Sequence, residues 1–205
     1  MARTGGIPVP TVKVWMRKEK EMNTRTKKIT WIAALSAIAF VVMFLFKMFG
    51  IVIIPDLPFL TYDPKDIIIA IGGILFGPVP ALVSSFIVSL LEMVTISTTG
   101  PIGAVMNVLS TSAFACMIAL VCRKKKTTAG LVIALVLGVA SQTAIMLLWN
   151  YLISPIYMGI PREAIKALLI PGFLPFNLIK GGINAILTFL LFGPIKKAAV
   201  KSKIA

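Results

Sequence analysis

Histidine is absent from this chain of 205 residues, cysteine occurs twice and acidic residues only seven times. Without histidine there is no Ser-His or Cys-His pair to activate a nucleophile. HExxH is missing, as is any carboxylate cluster suited to a metal, so neither catalysis nor a metal site is expected. The phosphate loop G-x-x-x-x-G-K-[ST] is missing too. The chain therefore reads as a non-enzyme, and any ATP-driven function would need a partner. The two cysteines, Cys116 and Cys122, form no CxxC pair and no zinc spacing. Cys116 reads as a small packing residue, and Cys122 as a reduced thiol at the cytoplasmic edge of the membrane.

Charge is the next scarcity. Charged residues make up 14% and hydrophobic residues 58% of the chain, and the mean hydropathy is +0.97. Soluble domains carry about 25% charged residues. A chain this poor in polar side chains cannot cover itself against water. Its net charge of +14 would suggest nucleic acid in a soluble protein. Here the basic residues crowd into Arg3–Lys28, Arg123–Lys126 and Lys196–Lys203, outside the apolar stretches and with no aromatic among them but Trp15. That pattern argues against nucleic acid and for a lipid bilayer.

A membrane-spanning helix needs about 20 apolar residues to cross about 30 Å of hydrocarbon. By that measure the chain is an all-α integral membrane protein, a bundle of six transmembrane helices. Residues 1–28 form a basic cytoplasmic arm expected to be flexible, 29–195 the membrane domain and 196–205 a basic cytoplasmic tail. The arm is not a signal peptide, because the apolar stretch after it is long and lacks a small-residue cleavage site. Met22 opens a more familiar membrane-protein start, so residues 1–21 are expected to be dispensable.

The predicted spans are Ile29–Met48, Asp66–Phe76, Ala81–Ser97, Ile102–Val121, Thr128–Ile153 and Pro175–Leu191. The second is short and carries Gly72 and Gly73. Ile51–Lys65, with three prolines and two aspartates, reads as a loop. Gly77-Pro78-Val79-Pro80 and Thr98-Thr99-Gly100-Pro101 read as turns. An outer loop over Ser154–Leu174 has room for a short helix at Arg162–Leu169. With the N-terminus cytoplasmic, every lysine and arginine except Lys47, Lys65, Arg162, Lys166 and Lys180 falls inside. That satisfies the positive-inside rule and places both termini in the cytoplasm.

Polar residues at membrane depth are costly unless they face a cavity or another helix. Asn150 lies near the outer end of the fifth span. Asn177 and Lys180 share a face of the sixth, with Asn184 one turn on. Glu92 and Asn107 lie in the outer halves of the third and fourth. Together they point to one outer-face pocket, suited to a flat heteroaromatic ligand with imide carbonyls and an N–H. Structural alternatives stand beside each: Lys180 snorkelling outward, the asparagines as interhelical glue, and Glu92 paired with Lys47, Lys65 or Lys180. The proline-stiffened loop from Pro55 to Pro64 can cover an apolar ring, or it is a plain connector. Ala33 and Ala37, four apart, form a small-xxx-small face that admits another helix or packs internally.

Five stretches resemble one known family. They are Phe59-Leu60-Thr61-Tyr62-Asp63, Gly72-Gly73-Ile74-Leu75-Phe76-Gly77-Pro78, Gly100-Pro101-Ile102-Gly103-Ala104-Val105-Met106-Asn107, Asn150-Tyr151 followed by Pro155-Ile156-Tyr157-Met158, and Pro175-Phe176-Asn177-Leu178-Ile179-Lys180-Gly181. Over residues 22–200 the chain resembles the substrate-binding S components of energy-coupling factor (ECF) vitamin transporters, the riboflavin-specific type. The resemblance implies a six-helix protein of a prokaryotic cell membrane that binds riboflavin as transported ligand, with no cofactor. It implies that Asn150, Asn177 and Lys180 hydrogen-bond the polar edge of the isoalloxazine ring. Leu60, Thr61 and Tyr62 would cover it, and Glu92 and Asn107 join the expected pocket. It also implies that Ala33 and Ala37 dock on a transmembrane T component, and that two ATP-binding ATPase subunits complete the transporter. The N-terminal arm is not part of the family pattern. The rival readings are an S component for another vitamin and a self-sufficient secondary transporter coupled to protons through Glu92.

Overall fold

A computed structural model describes residues 12–54, 60–97 and 99–201. The elements in order are α1 (Val12–Phe49), α2 (Lys65–Phe76), α3 (Pro78–Thr95), α4 (Gly100–Lys124), α5 (Thr128–Met158) and α6 (Arg162–Leu168). A π-helical turn (Leu169–Phe173) then runs without a break into α7 (Leu174–Lys201). Among the described residues the β contact is a single antiparallel bridge, Val52 to Thr61. The expected helices are present, and most run longer than expected.

Each extension has a local cause. α1 begins at Val12 rather than Ile29. The basic segment from Val12 to Lys28 holds no glycine or proline and is rich in Lys, Arg, Glu and Met, so helix propensity carries the backbone through it. α3 begins at Pro78 rather than after Pro80. Prolines fit the first helical turn, where their missing N–H has no intrahelical partner. Gly77 alone joins α2 to α3, at φ 105, a conformation other residues adopt only with strain. α5 runs past Pro155 and stops at Gly159, which is left-handed at φ 66. α7 likewise continues through Pro194, and the expected separation of the outer short helix from the last span is replaced by the π-helical turn around Pro171. Residues 1–11, 55–59, 98 and 202–205 lie outside the described residues, including the first part of the arm, the centre of the proline loop and the end of the tail.

Among the described residues, five stretches are long and apolar enough to cross a membrane: Lys28–Phe49, Pro78–Thr95, Gly100–Lys124, Thr128–Met158 and Arg162–Ala198. α2 has 12 residues, about 18 Å at a rise of about 1.5 Å per residue. It is also the helix surrounded by others, touching α1, α3, α4 and α7. Lys65, Asp66, Ile67, Ile69, Ala70, Ile71 and Gly73 are buried along it.

The outer surfaces of the long helices remain apolar. Met48, Phe49, Val79, Val94, Ile156 and Ile170 are all exposed, as lipid-facing side chains are. Helix association in lipid gains little from burying apolar area and depends on close packing. Small residues supply it. A Cβ on Gly73 would stand 3.0 Å from the Ala81 Cβ and 3.3 Å from the Ala115 carbonyl oxygen. One on Gly138 would stand 2.7 Å from Cγ1 of Ile118. That packing lies toward the C-terminal end of α2, and the charges lie at its other end.

Candidate ligand site at the head of α2

Two consecutive ionisable residues, Lys65 and Asp66, open α2, and neither has any solvent exposure. Adjacent residues on a helix point about 100° apart, so each meets different neighbours. The Lys65 ammonium donates to Asp63 and to Glu92 Oε2 at 2.8 Å. Glu92, near the end of α3, also takes Lys47 of α1 at 3.1 Å and the Asn107 amide of α4 at 2.8 Å. This first cluster ties α1, α2, α3 and α4 together.

Asp66 looks the other way. Its Oδ1 accepts from the Thr111 hydroxyl of α4 at 2.6 Å. Its Oδ2 faces Gln142 of α5 at 3.5 Å, Asn184 of α7 at 3.3 Å and the Lys180 ammonium of α7 at 3.5 Å. Gln142 donates further to Ser110 at 2.9 Å. The loop before α2 is pinned to this second cluster. The Tyr62 hydroxyl donates to Asn184 Oδ1 at 2.7 Å, the Tyr62 N–H donates to the Ile51 carbonyl at 2.8 Å, and its ring meets Phe46 edge-on at 6.0 Å.

The electrostatics follow from the crowding. Burial, with the Asp66 and Asp63 carboxylates adding to it, pushes the Tyr62 phenol up to about 12, so it stays a donor. Burial alone would raise the Asp63 carboxyl, but the ammonium groups of Lys65 and Lys180 outweigh it and hold Asp63 below the usual carboxylate range.

The structure therefore brings some expected site residues together and leaves others apart. Glu92 and Asn107 meet in the first cluster, and Glu92 has the structural pairing with Lys47 and Lys65. Tyr62 and Lys180 meet in the second through Asn184 and Asp66. Lys180 is buried and faces Asp66, so it does not snorkel outward. Leu60 and Thr61 are half-buried beside the bridge to Val52. Asn150 and Asn177 are buried, but their amides donate to carbonyls of their own helices, Met146 at 2.7 Å and Phe173 at 2.7 Å. Asn150 Oδ1 also accepts from Ser154 at 2.8 Å. Ala33 and Ala37 are exposed on α1, two positions before Leu35 and one after Ser36. Those two turn inward, and Ser36 donates to Ser84 of α3 at 2.9 Å.

Sequence reasoning passed over Asp66, Thr111 and Gln142, and offered Lys65 only as a structural partner for Glu92. The signal was present in part: a charged pair heading an apolar run, and a glutamine in the middle of a span, are both expensive in lipid without a partner. The partners lie on other helices, at separations a local reading does not reach. Chemically, the head of α2 offers one lysine enclosed by two carboxylates and one lysine facing a single carboxylate, with hydroxyl and amide groups between them.

Comparisons with known proteins follow the same outline. The family model for the ECF transporter, substrate-specific component, matches residues 27–192. A riboflavin transporter of Bacillus subtilis, FmnP, is 31% identical over 182 residues, covering 84% of this chain and 93% of that protein. A riboflavin transporter of Staphylococcus aureus, RibU, is 29% identical over 184 residues, covering 86% and 95%. A solved structure of the S component of a bacterial ECF transporter superposes with a TM-score of 0.71 at 29% identity, covering 84% of this chain and 97% of that one.

Proposed function

Because the chain belongs to the family of substrate-specific components of ECF transporters, we propose that it is the riboflavin-binding S component of a vitamin importer. The observation that carries the reading is likeness over most of the chain to proteins that transport riboflavin. The protein is a multi-pass membrane protein of a prokaryote, placed here in the cell membrane.

Riboflavin lies at the head of α2, between α4, α5 and α7 and under the loop that Tyr62 anchors. Lys180, Asn177 and Asn150 meet the polar edge of the ring. The asparagine amides leave their own-helix carbonyls as the ligand arrives. Leu60, Thr61 and Tyr62 cover the ring, and Glu92 and Asn107 brace the far side. The bundle crosses the membrane six times, with α2 as the short second crossing and both termini in the cytoplasm. The reading is supported by the basic clusters at Arg123–Lys126 and Lys196–Lys203. A T component docks on the exposed Ala33 and Ala37 face of α1, and two ATPase subunits supply the energy.

Riboflavin fluorescence titrated with the detergent-purified protein tests the binding. Saturable quenching is expected, and a protein that leaves the fluorescence unchanged is not a riboflavin S component. The same chain alone in sealed liposomes should bind riboflavin without accumulating it. Concentrative uptake without ATP and partners would mean a self-sufficient transporter. A reporter fused after Lys126 should read cytoplasmic and one near Arg162 external.

A further inference from the structure

We infer that Asp66 is a positioning residue for riboflavin binding: it holds the Lys180 ammonium at the place where the ligand's polar edge arrives. The inference rests on the proposed function, in which Lys180 is a ligand donor.

Lysine carries its charge on a four-carbon stem with free torsions, a mobile point charge unlike the planar fork of arginine. A buried ammonium with no counter-charge is also costly. Something must therefore both fix and balance Lys180, and Asp66 is placed to do so. Its Oδ2 lies 3.5 Å from the Lys180 Nζ, and the carboxylate is itself completely buried. Nor is Asp66 free to follow the lysine. Thr111 holds its Oδ1 at 2.6 Å, while Asn184 and Gln142 approach Oδ2 from α7 and α5.

The contrast with Lys65 sharpens the assignment. Lys65 is enclosed by Asp63 and Glu92. The carboxylate of Asp63, near enough to feel Lys180, is already engaged by Lys65. Lys180 has three N–H donors and, among the described residues, Asp66 as its charged partner. Its long approach to Asp66 anchors the ammonium and leaves donors for a ligand carbonyl or ring nitrogen. Asp66 so acts on riboflavin through Lys180.

A double-mutant cycle on the full chain tests this. Riboflavin fluorescence quenching is titrated with wild type, Asp66→Asn, Lys180→Met and the double variant, with circular dichroism melting as the folding control. Asp66→Asn is expected to weaken binding about tenfold in the wild-type background and by less than about threefold once Lys180 is methionine. Equal losses in both backgrounds would overturn the inference, since Asp66 would then be a structural residue only. Unchanged affinity in folded Lys180→Met would overturn it too, because the lysine would not be a ligand donor. Should Asp66→Asn yield no folded protein, Asp66→Glu keeps the charge, moves it by one methylene and carries the same cycle with the same criteria. Failure of wild type to quench riboflavin would sink the riboflavin reading itself, an outcome visible before any variant is compared.

Discussion

Lys65 and Asp66 are neighbours in sequence and have separate surroundings. Lys65 faces α1, α3 and α4, where two carboxylates and an asparagine close around it and around each other. Asp66 faces α4, α5 and α7, where the Thr111 hydroxyl bonds Oδ1 at 2.6 Å and amides and one lysine gather around Oδ2 at 3.3 to 3.5 Å. Contacts in the first cluster engage both oxygens of each carboxylate, while the second combines the short Thr111 bond with longer approaches to Asp66 Oδ2 and holds a lysine with donors to spare. A saturated buried ion pair fixes helices in register, while an unsaturated one can exchange a partner for a ligand. The difference teaches that burial and charge alone do not identify a binding group. Remaining hydrogen-bonding capacity does.

Removing Lys65 gives the largest expected effect. Lys65→Met leaves Glu92 and Asp63 facing each other with less positive charge between them. Breaking a buried ion pair typically costs about 3–5 kcal/mol. The variant should melt well below wild type in detergent, or fail to elute as a single species in size-exclusion chromatography. A Lys65→Met protein as stable as wild type would erase the distinction drawn between the clusters.

Lys180→Met should do the converse. Asp66 keeps Thr111, Gln142 and Asn184 as partners, so the bundle should stay folded. Riboflavin affinity should fall by roughly a hundredfold, since an unmet hydrogen bond involving a charged group costs more than the usual ~1–3 kcal/mol. Fluorescence titration reads the affinity and dichroism the fold. A folded variant of native affinity would place the pocket elsewhere.

Smaller losses are expected at the asparagines. Asn177→Ala and Asn150→Ala each delete one neutral partner, which corresponds to a loss of about five- to a hundredfold by the tenfold-per-1.4 kcal/mol rule. Their amides rest on Phe173 and Met146 carbonyls, so melting temperatures should move little. If both variants bind like wild type, these amides are helix-internal glue and the riboflavin pocket is narrower than proposed.

The smallest effect on the vitamin should come from α1. Ala33 and Ala37 are exposed and belong to neither cluster. Ala33→Trp and Ala37→Trp should leave riboflavin affinity within about twofold, as expected of surface positions away from the site. An indole on this face should block co-purification with the T component by preventing close helix approach. Lost vitamin binding with intact co-purification would move these alanines from the docking face to the pocket.

The character of the chain was legible without coordinates because its causes are local. Hydropathy sums over about 20 residues, and lysine and arginine mark the ends of the apolar stretches. Helix termini were read less well wherever proline was taken as a stop. Pro78, Pro155 and Pro194 all sit within helices, because one missing N–H is absorbed in a first turn or by a packed helix. α2 was placed correctly, yet its length alone does not make it a span. Its burial among four other helices supports the proposed second crossing.

From sequence alone, then, came an all-helical membrane protein, the polar residues at depth, and the face shared by Asn177, Lys180 and Asn184. Tertiary structure alone decided who meets whom. Asp66 finds Thr111 across 45 positions and Asn184 across 118, and Tyr62 reaches Asn184 across 122. Helix periodicity fixes the direction of each side chain around its own axis, but only the packing of one helix on another sets the rotation that brings two such directions together.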